Sequence, residues 1–363
     1  MGIQCGIIGL PNVGKSTLFN AVTKAGVQAE NYPFCTIDPN VGVAAVPDNR
    51  IAEIARLVNQ KNTIPTAVEF VDIAGLVAGA SKGEGLGNQF LSHIREVDAI
   101  AHVVRCFESE DVVHVDGRVD PIADIEVIHT ELALADLEQT ERAFERNHRK
   151  GISGDKVALQ LAELQKQVIE KLQEGIPVRA MGLRDDQLEH LAELRLLTAK
   201  PMMFIANVDE VSVHHNEHVE RVKEYAKREN CGVAEVCADF ESQIAALDPE
   251  EQREFLSEIG ETEPGLNRVI HAAYDLLGLL TFFTWNEKEV RAWTLKKGLL
   301  APKAAGQIHT DFERGFIRAE VVGYDDFISC GGEQGAKDAG LWRLEGKEYE
   351  VVEGDVMFFR FSV

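Results

Sequence analysis

A glycine-rich turn at residues 9–16 restricts the possible folds of this chain more than any other segment. Its sequence, Gly-Leu-Pro-Asn-Val-Gly-Lys-Ser, follows an apolar run, precedes a helical pattern and fits G-x-x-x-x-G-K-[ST]. Such a backbone wraps phosphate groups closely and points N–H groups at them from a helix N-terminus. In this pattern Lys15 supplies positive charge to the β- and γ-phosphates, and the Ser16 hydroxyl ligates Mg²⁺. The segment predicts a phosphate-binding loop whose nucleotide contacts are Asn12, Val13, Gly14, Lys15, Ser16 and Thr17, the last donating to the α-phosphate.

Short apolar runs alternate with helical stretches in much of the chain up to residue 206. The strand-like runs lie at 3–10, 41–46, 67–71, 99–104 and 202–206. This alternation predicts an α/β fold with βαβ units around a mainly parallel sheet. Ligands of such sheets bind beyond the carboxyl ends of the strands. We therefore expect the phosphate-binding loop and the segments that follow the other strands to share one edge of the sheet.

Two later segments have different patterns. Between 124 and 197, apolar residues recur at three- and four-residue steps, with a turn signal at 147–155. This pattern predicts an inserted antiparallel helical hairpin of coiled-coil type, the alternative being two ordinary surface helices. After Gly278, short strands and a glycine loop at 331–335 predict a compact β-rich domain. The predicted division is a nucleotide-binding domain at 1–123 and 198–277, a helical insertion at 124–197 and a terminal domain at 278–363.

A D-x-x-G motif at 72–75 favours a switch NTPase over a small-molecule kinase. In this motif Asp72 helps to hold Mg²⁺, and the Gly75 N–H senses the γ-phosphate. Thr36, which ends Asn-Tyr-Pro-Phe-Cys-Thr at 31–36, is the candidate switch threonine that completes the magnesium shell; an ordinary loop threonine is the alternative. The glycines at 75–87 provide a backbone that can order and disorder with the γ-phosphate.

These motifs resemble those of a known group of proteins. The sequence at 72–91, Asp-Ile-Ala-Gly-Leu-Val-Ala-Gly-Ala continuing to Gly-Glu-Gly-Leu-Gly-Asn-Gln-Phe-Leu, is similar to the Obg-related translation-factor GTPases, as is 31–36. The finer resemblance is to their YchF subfamily, the Obg-like ATPases. Ala-Pro-Lys-Ala-Ala-Gly at 301–306, followed by Ile-His-Thr-Asp-Phe at 308–312, resembles the TGS domain of that subfamily. The resemblance implies a cytosolic P-loop NTPase associated with ribosomes, with its nucleotide site in a doubly wound α/β sheet domain. It also implies a β-grasp-like TGS domain at the C-terminal end.

The predicted base pocket departs from N-K-x-D, the usual guanine-reading motif. The 202–206 run leads into Asn207, Val208, Asp209 and Glu210, so valine replaces the lysine and glutamate the final aspartate. Losing a paired hydrogen-bond contact costs orders of magnitude in discrimination. The Asn207 side chain or a nearby backbone carbonyl can accept from the adenine amino group, which favours ATP over GTP; the alternative is that Asp209 restores guanine reading. Cys237 and Ala238 stand at the position of the last base-contacting loop.

The residue after D-x-x-G is Leu76, which cannot orient water as the glutamine of many switch GTPases does. Hydrolysis is then slow unless another group assists. Asn12 is a candidate ligand for an activating K⁺, as in related potassium-dependent GTPases, or it only stabilises the turn. His114, in the loop after the 99–104 run, is a candidate catalytic residue, a solvent-facing loop histidine being the alternative. Arg105 in the same loop is a further candidate.

The charge of the chain is acidic, since 60 Asp and Glu against 37 Lys and Arg give a net charge of −23. Phosphate attraction needs a positive surface, so general binding to nucleic acid or to anionic membranes is not expected. Two basic clusters are exceptions: one at 288–318 with Trp285 and Trp293 interleaved, and one at 142–150 in the presumed hairpin tip. They predict contact with rRNA or a ribosomal surface; solvated charged faces and core tryptophans are the alternatives.

The remaining sequence features indicate a cytoplasmic protein without a membrane segment. No apolar run approaches the ~20 residues that cross a bilayer, and the six cysteines form no CxxC pair. We therefore expect reduced thiols. We also expect a monomer.

The predicted function is Mg²⁺-dependent hydrolysis of ATP to ADP and phosphate by a protein that binds the ribosome or its 50S subunit. Lys15, Thr36, Gly75 and His114 are the predicted catalytic residues, and Ser16, Thr36 and Asp72 are the predicted metal ligands. Two alternatives stay open: a GTP-preferring Obg-type GTPase, and a nucleotide-gated scaffold for RNA or protein with little turnover.

Overall fold

The structure is a computed structural model that describes residues 3–24, 40–73, 86–109, 118–209, 216–258 and 261–362. The described residues form two compact units. The first unit is made by those within 1–25, 36–42 and 69–272, and the second by those within 43–68 and 273–363. In this part of the chain, no helix combines the length and the apolar character that crossing a membrane requires.

The strands are β1 (Gln4–Ile8), β2 (Val41–Ala45), β3 (Thr63–Ile64), β4 (Ala67–Asp72), β5 (Ala99–Arg105), β6 (Met202–Asn207), β7 (Gly232–Val236), β8 (Leu279–Trp285), β9 (Val290–Lys296), β10 (Phe316–Gly323), β11 (Arg343–Glu345) and β12 (Asp355–Phe361). The α-helices are α1 (Lys15–Lys24), α2 (Asn49–Leu57), α3 (Leu86–Glu96), α4 (Pro121–Ile152), α5 (Lys156–Gln173), α6 (Asp185–Leu191), α7 (Glu217–Arg228), α8 (Ala238–Ile244), α9 (Pro249–Glu258), α10 (Gly265–Leu276), α11 (Ala301–Ile308), α12 (Thr310–Arg314), α13 (Tyr324–Ser329) and α14 (Glu333–Asp338).

The first sheet has the strand order β2-β4-β1-β5-β6-β7. Strand β1 pairs in parallel with β4 and β5, and the parallel pairing continues through β6 to β7. This confirms the predicted doubly wound sheet. The chain moves to one side of β1 and then to the other, so the strand order reverses beside β1, which is where open α/β sheets bind ligands. The glycine-rich turn begins at this point, directly after β1.

The inserted helical hairpin is also confirmed, as α4 and α5. Its turn is shorter than predicted, because α4 continues through Asn147 to Ile152 and α5 begins at Lys156. Buried Asn147 donates from Nδ2 to Oε1 of Gln165 across the two helices at 3.1 Å, which stabilises this extra helical turn.

In the second unit, the sheet order is β11-β10-β12-β8-β9-β3. Ala301, Ala304 and Ala305 of α11 pack with Phe282 and Met357 in one core cluster. The helices α11 to α14 were not predicted, and Gly335, predicted in a loop, lies inside α14. Alternating strand residues give a clear sequence signal, whereas these helices have only five to eight residues each.

The position of residues 43–68 in the structure differs from the predicted domain division. They belong to the second unit, although the sequence placed them in the nucleotide-binding domain. Ile51 and Ile54 of α2 are buried in a cluster with Phe283 and Val290. The Arg50 guanidinium pairs with Asp48 and, at 2.5 Å, with Glu353. These contacts join residues far apart in sequence, which periodicity along the chain cannot reveal.

Candidate nucleotide-binding site

The glycine-rich turn connects the end of β1 at Ile8 to the start of α1 at Lys15. A Cβ atom on Gly9 would lie 2.8 Å from the backbone oxygen of Val103 in β5, so the two strands leave no room for a larger residue there. Gly14 has φ +90°, and a Cβ on it would collide with the side-chain amide of Asn207. Glycine at these two positions therefore allows the close packing that turns the backbone toward the N-terminus of α1.

Asn12 has φ 63° in the same turn and is exposed. Asparagine adopts this left-handed conformation more readily than most residues. The geometry therefore favours the turn-stabilising role of Asn12, and its role as a K⁺ ligand stays a prediction.

Lys15 and Asp72 lie side by side at the carboxyl edge of the first sheet. The Nζ atom of Lys15 donates to Oδ1 of Asp72, the last residue of β4, and both side chains are mostly buried. Ile7 of β1 is in register with Asp72, which explains why the two ends meet. Ser16 and Thr17 belong to the first turn of α1, where Ser16 is exposed. The Ser16 hydroxyl and the Asp72 carboxylate are oxygen donors of the kind that Mg²⁺ prefers, so this donor set fits the predicted metal.

Asn207, the last residue of β6, joins the phosphate-binding turn to the start of α8. Its Nδ2 donates to the Val13 carbonyl at 2.9 Å, and its Oδ1 accepts from the Ala238 N–H at 2.9 Å. The residue is 4% exposed. Both ends of the amide are thus engaged inside the protein, so the geometry favours the backbone-carbonyl alternative for adenine reading. This connecting role was missed by the sequence reasoning, which considered Asn207 only as a base contact.

The other predicted base residues converge on the ends of β6 and β7. Val208 is buried and donates from its N–H to the Val236 carbonyl at 2.9 Å. Cys237 and Ala238 are buried where α8 begins. The structure therefore brings these residues to the same sheet edge as Lys15.

Several predicted residues lie outside the described part of the chain: Thr36, Gly75, His114 and Glu210. Their roles stay predictions. Arg105 is described and is 1% exposed, with its guanidinium carbon 4.6 Å from the ring centre of Phe107. Its Nε also donates to the Phe107 carbonyl at 3.1 Å, so this side chain packs as a buried structural residue.

We expect Asn207→Ala to lower the free energy of unfolding by about 2–4 kcal/mol, because the Val13 carbonyl and the Ala238 N–H would lose their partner inside the protein. Urea denaturation measures this change. The matched control is Asn267→Ala, which removes an amide that bonds to Glu263 at the surface and should change stability by less than about 0.5 kcal/mol. A loss below 1 kcal/mol for Asn207→Ala would contradict the connecting role.

The two predicted basic clusters differ in the structure. Phe282 pairs with Trp293 in the β8–β9 ladder, whereas Trp285 pairs with Val290. Because side chains alternate along a strand, Trp285 and Trp293 face opposite sides of the second sheet, so they do not form a single stacking surface. Trp293 Nε1 also donates to Thr284 at 2.8 Å, and Lys303 pairs with Glu313 at 2.5 Å.

The hairpin tip keeps its basic groups accessible. Arg142 and Arg149 each pair with a glutamate one turn earlier, yet their side chains are 75% and 80% exposed. Surface pairs of this kind contribute only a few tenths of a kcal/mol. Ile152 and Val157, beside them, are 73% and 64% exposed. The tip is therefore a basic surface with apolar side chains.

Two family models match the chain. Residues 4–137 match a model described as "50S ribosome-binding GTPase". Residues 279–362 match the YchF GTPase C-terminal model, described as "Protein of unknown function (DUF933)". The second match covers the region in which the sequence predicted a TGS domain.

Relatives match over the full length. The chain is 57% identical to "Ribosome-binding ATPase YchF" of Haemophilus influenzae and 55% identical to the protein of that name in Bacillus subtilis, covering 100% of both chains in each case. It is also similar to the structure of the Schizosaccharomyces pombe YchF GTPase, with a TM-score of 0.89, 36% identity and coverage of 99% of this chain and 98% of that one. The chain therefore belongs to the YchF family of P-loop NTPases.

Proposed function

We propose that this protein is a ribosome-binding, Mg²⁺-dependent ATPase that hydrolyses the β–γ bond of ATP with water. The observation that carries the proposal is the arrangement at one sheet edge of Gly14 and Lys15, with Asp72 beside the lysine and Asn207 beneath the turn. Relatives that are 57% and 55% identical over their whole length are named ribosome-binding ATPases, which supports both parts of the proposal.

The chemistry assigned to the site is positioning and electrostatic stabilisation. Lys15 and the N–H groups at the start of α1 would hold the β- and γ-phosphate oxygens and stabilise the charge that develops on them. Ser16, Asp72 and Thr36 would hold Mg²⁺, which neutralises phosphate charge when it is bound. Gly75 and His114 are the proposed γ-phosphate sensor and water-activating residue.

ATP preference is a proposal about the base pocket. Val208 occupies the position of the lysine that packs over guanine in N-K-x-D. Because both ends of the Asn207 amide are hydrogen-bonded within the protein, a backbone carbonyl would accept from the adenine amino group. Glu210, one methylene longer than aspartate, is mismatched to the two guanine N–H groups.

We expect Val208→Lys combined with Glu210→Asp to shift the ratio of ATP to GTP affinity toward GTP by at least about tenfold, because it restores the guanine contacts. Competition of the two nucleotides against a fluorescent analogue measures the ratio. Val208→Leu with Glu210→Gln is the matched control, since neither residue can make those contacts. An unchanged ratio in a folded Lys/Asp variant would refute this description of the pocket.

The ribosome-facing surface is proposed to be the hairpin tip, where Arg149 and Lys150 are exposed beside Ile152 in an acidic chain. Basic residues there would contact rRNA phosphates. A ribosome-binding role also implies a cytoplasmic protein, and we propose that it acts as a monomer and that K⁺ accelerates its hydrolysis.

Phosphate release from ATP, measured with and without ribosomes or 50S subunits, tests the function. We expect slow basal turnover that ribosomes accelerate. Binding of ATP and ribosomes without turnover under any condition would instead favour a nucleotide-gated scaffold, and transfer of phosphate to a metabolite would favour a kinase.

A further inference from the structure

The C-terminal end of α3 is hydrogen-bonded to α4, the first helix of the inserted hairpin. Nη2 of Arg95, near the end of α3, donates to Oε1 of Gln139 in α4 at 2.8 Å. The other end of the Gln139 amide donates to the Leu194 carbonyl at 2.5 Å. One glutamine therefore links α3, α4 and the segment that returns from the hairpin to β6.

The segment that returns from the hairpin to β6 also forms hydrogen bonds with the C-terminal end of α3. Lys200 donates from Nζ to the Arg95 carbonyl at 3.2 Å and to the Val97 carbonyl at 2.5 Å. Carbonyls at the end of a helix have no partner within the helix, so this cation meets groups that need a donor.

A buried carboxylate near Gln139 joins α4 to the segment that returns from the hairpin to β6. Asp136 lies one turn before Gln139 in α4 and is fully buried. It accepts from the N–H groups of Leu197 and Thr198, both at 2.8 Å, and from the Thr198 hydroxyl at 2.7 Å. Helix α4 and the segment that returns to β6 are thus hydrogen-bonded to each other at the base of the hairpin. A shift of α3 would therefore move both of them.

The end of α3 also packs against β1, the strand that leads to the nucleotide edge. A Cβ on Gly6 in β1 would lie 2.7 Å from Cδ1 of Ile73 and 2.9 Å from Cγ2 of Val97. Val97 follows α3, and Ile73 follows Asp72, the predicted metal ligand. Ile73 and Val97 therefore pack together against the same face of Gly6, two residues before β1 ends and the phosphate-binding turn begins.

The hairpin converts a small rotation at this base into a larger displacement of its tip. From Gln139 to Ile152, α4 extends a further 13 residues, or about 20 Å at 1.5 Å per residue. A rotation of about 10° at Gln139 would move the tip by about 3 Å. The exposed residues Arg149 and Ile152 lie at that end.

We propose that Arg95 and Gln139 are positioning residues that couple the nucleotide site to the hairpin tip, so that the bound nucleotide sets the affinity of the tip for the ribosome. This inference rests on the proposed function. Because coupling is reciprocal, ribosome binding at the tip would change nucleotide affinity by the same factor.

The test compares ribosome affinity of the full chain with a non-hydrolysable ATP analogue and with ADP. Wild type should show a ratio of about fivefold or more. Gln139→Met, which keeps the size of the side chain but removes both hydrogen bonds, should bring this ratio toward one, lowering it by at least about twofold. Its affinity for the analogue in the absence of ribosomes should be unchanged. Arg95→Gln is the second variant and should act in the same direction.

Glu138→Gln is the matched control, since Glu138 neighbours Gln139 but its carboxylate faces solvent and pairs with Arg142. It should keep the wild-type ratio. Folded Gln139→Met or Arg95→Gln protein with a wild-type ratio would overturn the coupling, as would an equal loss in the control. A wild type that binds both nucleotides and ribosomes with no difference in affinity would overturn it too, while leaving the proposed function intact. Wild-type protein that binds no nucleotide would contradict both the coupling and the proposed function.

Discussion

Lys15→Ala is expected to lower kcat/KM for ATP hydrolysis by about 10²- to 10³-fold. The reason is that Lys15 is the proposed donor to the β- and γ-phosphate oxygens, and one preorganised donor at developing charge contributes a factor of this size. Its position at the start of α1, in contact with Asp72, puts the ammonium group next to the predicted metal ligand. Initial rates of phosphate release, with and without ribosomes, measure the effect.

Lys24→Ala is the matched control, because Lys24 is an exposed lysine in the last turn of the same helix. It should leave kcat/KM within about twofold of wild type. If Lys15→Ala kept more than a tenth of wild-type activity, the turn at 9–16 would not be the catalytic phosphate site.

Acidification from pH 7.5 to 5.5 is expected to lower the free energy of unfolding by about 3 kcal/mol through two histidines, the buried His102 and the half-buried His129. His102 in β5 is 1% exposed, and its ring lies 6.1 Å from that of His129 in α4. Burial lowers the pKa of both histidines and the neighbouring Arg179 guanidinium adds to this effect, so that the pKa of His102 falls to about 3 and that of His129 to about 2. Tyr225 contacts Nδ1 of His129 at 3.2 Å, and Arg179 pairs with Glu229 at 3.1 Å.

The sign follows from proton binding. Below pH 6.5 the unfolded chain protonates both histidines while the folded protein keeps them neutral, so stability falls as the pH falls. Each histidine contributes about 1 kcal/mol per pH unit in this range. Urea denaturation at the two pH values measures the change, and the difference between wild type and His129→Asn isolates one histidine from the carboxylates that titrate lower. His190→Asn is the control, as His190 is an exposed residue of α6. If wild type and His129→Asn lost equal stability, His129 would not be a group that the folded protein keeps neutral.

The phosphate-binding turn was the part of the site most open to prediction. Glycine at 14 is required by φ +90° and by the approach of Asn207, and the lysine and serine follow at fixed positions on α1. Such requirements are local in sequence, so a short motif reports them. The parallel strands were predicted for a similar reason, since each is a short buried run.

Contacts between distant segments could not be predicted in the same way. The bridge from Asn207 to Val13 spans 194 residues, and nothing in the sequence near either residue indicates it. The pairing of Arg50 with Glu353 is of the same kind, and it lies within the second unit, to which residues 43–68 belong. Short helices such as α13 and α14 were also not predicted. Their six residues complete fewer than two helical turns, which is too short for a helical period to show in the sequence.

Titration calorimetry of the full-length protein with ATP and with GTP, both in the presence of Mg²⁺, measures whether the turn at 9–16 binds a nucleoside triphosphate. We expect saturable binding of ATP, weaker binding of GTP and a large loss of ATP affinity in Lys15→Ala. Absence of binding for both nucleotides at millimolar concentration would contradict this expectation.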